Sequence, residues 1–543
     1  MNARLVAMVV LVLAAFGTVA CGARSSPPGG AAATSAVATA VATAKNSPAP
    51  PVGAKPNSLI YASQFEPTIL NGLAIEQVAR WAQDIVFDGL VRANTKLELV
   101  PRLAASWDIS DDGKTYTFKL QPNAKWHDGQ PVTSDDVAFT YQAVQNPPPG
   151  VALLARTDYA GIDRIETPDP QTVRFVLKNV DASFLTKLQG GILPKHILEG
   201  KTDWSEFNRR PVGTGAYKLE KWDSGQQLIF AANPDYWMGK PAVETVIWRV
   251  VKDANALFTQ LQNGEVDGSG VPIQNIPTVK QNAKLKVYDT LGAATYIGFQ
   301  FDNPLFKDVR VRQALAYGLD KGAVISQILK GQGRPATSLI QPSSWAYNPN
   351  VMTYPFDPAK AKQLLAEAGW KPGSDGILAK DGKPFKFVIL TNSELAERKD
   401  ITVLARQQWR DLGVDVEPQY LDNATFINDR VLKANFDAIL LAGTVNLDPD
   451  YLRRNHASAS IQAGSNFLHW SDPQLDALLA QGIRTPRQAD RKPIYDQAQQ
   501  IIAEQAPAIY LYHPFATYAF RPDLQGVDPS DVSLFWNIEK WRY

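Results

Sequence analysis

The chain has 543 residues, 45% hydrophobic and 10% aromatic, and its 55 Lys and Arg nearly cancel its 54 Asp and Glu, leaving a formal net charge of +1. That length is several times the usual domain size, so at least two bodies with separate cores are expected. The near-neutral balance supplies neither the basic face that nucleic acid requires nor a polybasic membrane stretch, and one cysteine excludes any internal disulfide.

The chain starts with Met1, Asn2, Ala3 and Arg4, continues with an apolar run from Leu5 to Phe16, and reaches Cys21 through Gly17, Thr18, Val19 and Ala20. The run is too short for a hydrocarbon core that needs about 20 residues, but it fits a secretory signal over residues 1–20. A cysteine at the cut offers a thiol for diacylglycerol. Lipidation at Cys21 is therefore expected, with the exported protein on the outer face of the cytoplasmic membrane or in the periplasm. Thr18 stands where lipoproteins usually carry Leu. From 21 to 56 the chain is almost wholly Ala, Thr, Ser, Pro, Val and Gly, without an aromatic residue. It reads as a flexible tether that spans roughly 30 Å.

From Ser58 onward short strands alternate with amphipathic helices, an α/β pattern. Asp111, Asp112 and Gly113 form a turn signal before the alternating strand Thr115–Leu120, which predicts a hairpin. Thr133 and Asp136 begin a helix whose inner face carries Val137, Tyr141 and Val144. Asp357 and Pro358 begin another, with Ala361, Leu364, Leu365 and Ala368 as its apolar stripe and Gly369 as its end. These are folding signals and carry no chemistry. The five histidines, His127, His196, His456, His469 and His513, form no spaced metal pair. No HExxH, G-x-S-x-G or Walker A lysine is present, and Gly213, Thr214, Gly215 lacks the rest of a phosphate loop. Neither an enzyme nor a cofactor or metal site is expected.

Several segments carry a family resemblance: LAASWDISDDGKTYTFKLQPNAKWHDGQPVTSDDVAFTY (Leu103–Tyr141), PVGTGAYKLEKW (Pro211–Trp222), NPDYWMGKPAVETVIWRVVKD (Asn233–Asp253), LQNGEVDG (Leu261–Gly268), FKDVRVRQALAYGLDK (Phe306–Lys321) and DPAKAKQLLAEAGW (Asp357–Trp370). The chain resembles the family 5 extracellular solute-binding proteins of ABC importers for oligopeptides, dipeptides and nickel. The resemblance implies a bilobed, periplasmic-binding-protein-like α/β fold of the large class, with two lobes joined by hinge strands. Lobe I would comprise 57–97, 211–303 and 513–543, an accessory subdomain 98–210, and lobe II 304–512. Hinge crossings would fall near Phe301–Leu305 and Tyr510–Pro514. The implied partners are permease subunits with a separate ATPase, and the implied state is a monomer. Alternatives are an oligosaccharide or metal-chelate receptor, a ligand-sensing receptor, and a secreted hydrolase.

Cleft residues are sought in loops that follow apolar strands. The strand Leu59–Ala62 delivers Gln64, Phe65 and Glu66, followed by Asn71 and Glu76. Tyr296 lies in the alternating TYIGFQF, and Trp345 and Tyr347 lie in PSSWAYNP. The strand Phe385–Leu390 ends at Thr391, Asn392 and Ser393. Another, Phe436–Ala442, ends in a loop that contains Thr444, Asn446 and Asp448, followed by Arg453 and Arg454, whose guanidinium groups suit a carboxylate or phosphate. Peptide-binding members often carry GWGADYPDP, whose first Asp meets the peptide's α-amino group. The matching stretch here is LAGTVNLDP, with Val445 in that aspartate's place. Glu66, Glu76 or Asp448 as a substitute, or a ligand without a free amine, remain open.

Overall fold

The structure, a computed structural model, describes residues 57–73, 77–148 and 156–543. The expectations for the signal, Cys21, the tether and Glu76 lie outside the described residues.

One sheet of twelve strands runs through the body. In chain order these are β1 (Ser58–Ser63), β2 (Tyr217–Asp223), β3 (Gln227–Ala232), β4 (Thr245–Val250), β5 (Gly268–Gly270), β6 (Lys286–Leu291), β7 (Thr295–Phe299), β8 (Gly333–Pro335), β9 (Lys386–Asn392), β10 (Asp415–Leu421), β11 (Ala438–Ala442) and β12 (Ala508–Phe520). Their hydrogen-bonded order is β10-β9-β11-β7-β12-β5-β1-β4-β3-β2, and β6 and β8 also pair with β12.

Each half of the sheet has a core on either face because the side chains of each strand alternate across it. In β1, Leu59 and Tyr61 join Phe118, Trp248 and Trp541 on one face, while Ile60 and Ala62 join Ile247 and Leu257 on the other. In β7, Ile297 and Phe299 face Val311, Phe387 and Trp409, while Tyr296 faces Leu339, Leu452 and Tyr510. Burial on both faces explains why β1 reads as a continuous apolar run, Leu59–Ala62.

The long strand β12 ties the halves together. Its 13 residues pair first with β7, from Ala508 to Tyr512, and then with β6, from Phe515 to Phe520. The switch falls at His513 and Pro514, opposite residues 292–294. Here the Gly292 amide donates to the Pro514 carbonyl at 2.7 Å. A Cβ at Gly292 would lie 2.8 Å from the Pro514 ring, so the close approach requires glycine.

A separate four-stranded antiparallel sheet contains Ala104–Ile109, Thr115–Leu120, Thr172–Leu177 and Ile162–Asp169 in that spatial order. Its first two strands form the hairpin at Asp111–Gly113, with Gly113 at φ +67°. The helix Ser134–Gln145 packs on this sheet through Val137, Tyr141 and Val144, and the Thr133 amide donates to Asp136 at 2.9 Å. The helix Pro358–Glu367 begins where Asp357 accepts from the Lys360 amide, and the chain turns at Gly369, at φ +89°.

Candidate functional site

A cavity of about 610 Å³ opens between the two halves of the sheet. That volume lies within the range of small-molecule sites. One wall comes from Gln83–Ala93, Asp158, Ser183–Gly191 and Ser533, and the other from Val445–Arg454 and Ser460–Ser465.

The second wall begins where β11 ends. The Gly443 amide donates to Ala294 at 2.9 Å, which fixes the loop's exit, and Asn446 Nδ2 donates back to the Thr444 carbonyl and Oγ1, each at 2.9 Å. Leu447 is buried against Ala93 and Leu97 of the opposite half. Asp448 points away from Leu447 and accepts two hydrogen bonds from Arg491, each 2.7 Å long. Burial pushes the Asp448 carboxyl up from its ordinary value, against the downward pull of Arg491. Arg491 also donates to the Gly482 carbonyl at 3.0 Å and lies 5.4 Å from the Trp345 ring and 5.3 Å from the Tyr495 ring. The fork geometry of arginine accounts for this many simultaneous contacts.

On the helix Tyr451–His456, adjacent side chains point apart. Arg453 folds back onto Asp450 with two 2.7 Å bonds, which hold its guanidinium above the ordinary value. Arg454 is exposed at the cavity.

In the first wall, Arg92 is buried and donates to the Phe87 carbonyl at 2.8 Å and the Trp536 carbonyl at 3.2 Å. It also pairs with Asp88 at 3.3 Å and Asp84 at 3.5 Å, and Asp84 accepts from Ser533. Lys187 is held by Asp181 at 2.6 Å. Gly191 lets the chain run close to Phe87; a Cβ there would approach the Phe87 Cβ to 2.5 Å. Among the described residues, no group of three or more His, Cys, Asp or Glu could hold a metal ion, and no helix is long and apolar enough to cross a membrane.

The model for the bacterial extracellular solute-binding proteins, family 5, matches residues 98–463. The chain belongs to this family. It is 33% identical over 506 residues to the oligopeptide-binding protein AppA of Bacillus subtilis (strain 168), covering 89% of this chain and 91% of that one. The structure of AppA in complex with a nonapeptide superposes with a TM-score of 0.74, covering 89% of this chain and 98% of that one. NikZ from Campylobacter jejuni, in complex with Ni(L-His), is 29% identical with a TM-score of 0.76, covering 90% of this chain and 99% of that one. The fold is thus the bilobed α/β fold of periplasmic binding proteins, and the family is one of binding proteins rather than enzymes.

In this family 5 protein, Asn446, Asp448 and Arg453 line the cavity together, and Val445 lies beside them. The other sequence-selected residues sit elsewhere. Thr444 is exposed, and its amide donates to the Tyr451 hydroxyl at 3.2 Å. Gln64 donates to the Lys252 carbonyl, and Phe65 is 62% exposed. Both oxygens of Glu66 are occupied, one by Trp222 Nε1 at 2.6 Å and one by the Gly225 amide at 2.7 Å. Asn71 is buried, bonded to Asn208 and to the Leu73 amide. Tyr296 is buried with its ring 6.0 Å from that of Tyr510. Trp345 and Tyr347 pack against the Tyr296 core, and Asn392 accepts from Arg398 at 3.0 Å. Asp84, Arg92, Asp158, Lys187 and Arg454 complete the charged lining. Arg454 was legible only as a solvated or anion-binding helix residue, and the other four gave no signal in the sequence.

Proposed function

We propose that this protein captures a short peptide between its two lobes and delivers it to a membrane permease driven by a separate ATPase. The observation that carries the reading is the inter-half cavity itself, polar and lined by charges of both signs, in a chain whose relative AppA is described as oligopeptide-binding. A zwitterionic peptide suits a site in which acids and bases alternate, because a desolvated charge needs a countercharge. The protein acts by binding and closure, and its ligand leaves chemically unchanged.

In this reading 57–97, the segment from 211 to the end of β6, and 513–543 form lobe I. Residues 98–210 form an accessory subdomain, and lobe II begins with β7 rather than at the 303/304 boundary and ends near Tyr512. The pairing of β7 with β11 and with the first half of β12 supports that placement. The protein works as an exported monomer, held by a lipid on Cys21 and a tether that keeps it near its permease.

Mass spectrometry of the small molecules released when the purified protein is denatured tests this function. Peptides of a few residues are the expected cargo. An oligosaccharide or a metal chelate as the principal released species would overturn the peptide reading, and cleaved peptide products from an added peptide would overturn the non-enzymatic one.

A further inference from the structure

A second cavity, of about 850 Å³, shares no lining residue with the first and lies against β2, the last strand on its side of the large sheet. Three cations reach it that have no carboxylate at ion-pair distance among the described residues: Arg209, Arg210 and Lys218. Lys218 donates to the His127 carbonyl at 2.8 Å, which leaves two of its ammonium hydrogens free. Arg209 lies 3.8 Å from the centre of the Trp222 ring and donates to Ser224 at 2.6 Å. The indole is fixed in turn, because Trp222 Nε1 donates to Glu66 at 2.6 Å. Glu66 thus has a task away from the inter-half cavity: it seats the ring on which a guanidinium rests. The acids of the lining are mostly engaged, Asp223 with Lys221 at 2.9 Å and Asp128 with His196 at 2.7 Å. Glu220 alone among them has no partner within the described residues.

We propose that this cavity is a second binding site, for a terminal phosphate group, held by Arg209, Arg210 and Lys218. The site is independent of whatever occupies the cavity between the halves. Stacking covers one face of the Arg209 guanidinium and leaves its edge, with the N–H groups that Ser224 does not use, open to an acceptor. A side chain already held in this way loses less freedom on binding than a mobile one. Cationic donors from two segments of the chain, the Arg209 and Arg210 turn and β2, suit a tetrahedral group whose oxygens point in several directions, whereas a carboxylate accepts within one plane. A terminal phosphate also carries close to two negative charges at neutral pH and so draws more from three cations than a carboxylate does. Glu220 opposes the anion, which sets a limit on affinity that its removal would lift. A soluble phosphate ester and the headgroup of phosphatidic acid share this chemistry.

The test is equilibrium dialysis of the full-length protein against radiolabelled inorganic phosphate, at an ionic strength held constant with chloride. Arg209→Gln and Arg210→Gln are each expected to weaken phosphate binding about tenfold, as for the loss of a charge-assisted hydrogen bond. Glu220→Gln is expected to strengthen it roughly two- to fivefold, as for the removal of one exposed like charge. A chain with both Lys371→Gln and Lys383→Gln loses two exposed cations from the small sheet of residues 371–384 and is expected to bind like the wild type. A second arm sediments the full chain carrying Cys21→Ser, so that no lipid on that residue contributes, with phosphatidylcholine vesicles that do or do not contain phosphatidic acid. Sedimentation that requires phosphatidic acid and is lost in Arg209→Gln identifies the lipid headgroup as the source, and phosphate binding without sedimentation identifies a soluble ester. Absence of binding in both arms, full affinity in both arginine variants, or an equal loss in the double lysine variant overturns the site.

Discussion

Removal of the Asp448 carboxylate leaves a guanidinium stranded, because the side chains of Arg491 and Asp448 are only 4% and 9% exposed. Asp448→Ala is therefore expected to lose about 3–5 kcal/mol of stability, read from urea unfolding. Replacing both partners, with Asp448→Leu and Arg491→Met, is expected to recover much of that loss, since no uncompensated charge then remains. Asp448 was legible in the sequence as the acid of an Asp-Pro pair after a strand, but its engagement was not. Its partner lies 43 residues away on another helix, and no local pattern announces a contact of that kind. A second residue sets a pH dependence. Burial pushes His456 down from 6.5 to about 3, so the folded protein keeps it neutral while the unfolded chain takes up a proton near 6.5. The unfolded state thus binds more protons between those values. Stability is full above pH 6.5 and falls by about 1.4 kcal/mol per unit as the pH drops through the window toward 3. Between pH 7 and 5 the contribution of this residue is about 2 kcal/mol. His456→Phe is expected to flatten that slope without abolishing it, because burial also depresses His127, to about 4. Unchanged steepness in urea titrations at the two pH values would refute the role given to His456.

Among the elements, the hairpin at Asp111–Gly113 and the helices that begin after Thr133 and Asp357 were legible because their signals are local: a turn, a cap and a stripe. The strand pairings were not. β1 lies parallel to β4, with Ser58 opposite Thr245, and nothing in either segment specifies that register. TYIGFQF shows the same boundary of inference. Its alternation placed a strand there correctly, but a period of two cannot tell a residue facing a cleft from one facing a second core, and Tyr296 faces Tyr510 inside the protein. The element with most mechanical consequence is β12, which changes partners at His513 and Pro514. Gly292→Val would drive side-chain atoms into the Pro514 ring, which already stands 2.8 Å from the position of a Cβ. Overpacking of this kind costs about 1–3 kcal/mol. The expected result is a lower melting temperature and, in small-angle scattering, a reduced change in radius when ligand is added. A variant that melts and compacts like the wild type would remove this crossing from the closing motion.

At the scale of the whole molecule, the cavity draws its wall from segments that run from Gly72 to Ser533. Only the stretch from Val445 to Arg454 was recognisable beforehand, because it follows one strand and shares its Asp-Pro with relatives. The opposite wall is assembled by the meeting of the two halves, a tertiary event with no signature in any window of sequence. Leu447 shows how those halves hold together. It reaches from the β11 loop into a small apolar cluster with Ala93 and Leu97 of the other half. Apolar area buried on closure stabilises the closed state by about 25 cal/mol per Å². A single leucine therefore shifts the balance by an amount comparable to a typical gap between open and closed states, which is a few kcal/mol. Leu447→Ala is expected to leave the melting temperature of each half little changed while it expands the ligand-free protein in small-angle scattering. It is also expected to weaken binding, because a smaller competent fraction raises the apparent Kd in proportion. The loss of affinity should match the loss of closed population. Weaker binding without expansion would mean that Leu447 touches the ligand instead of holding the lobes.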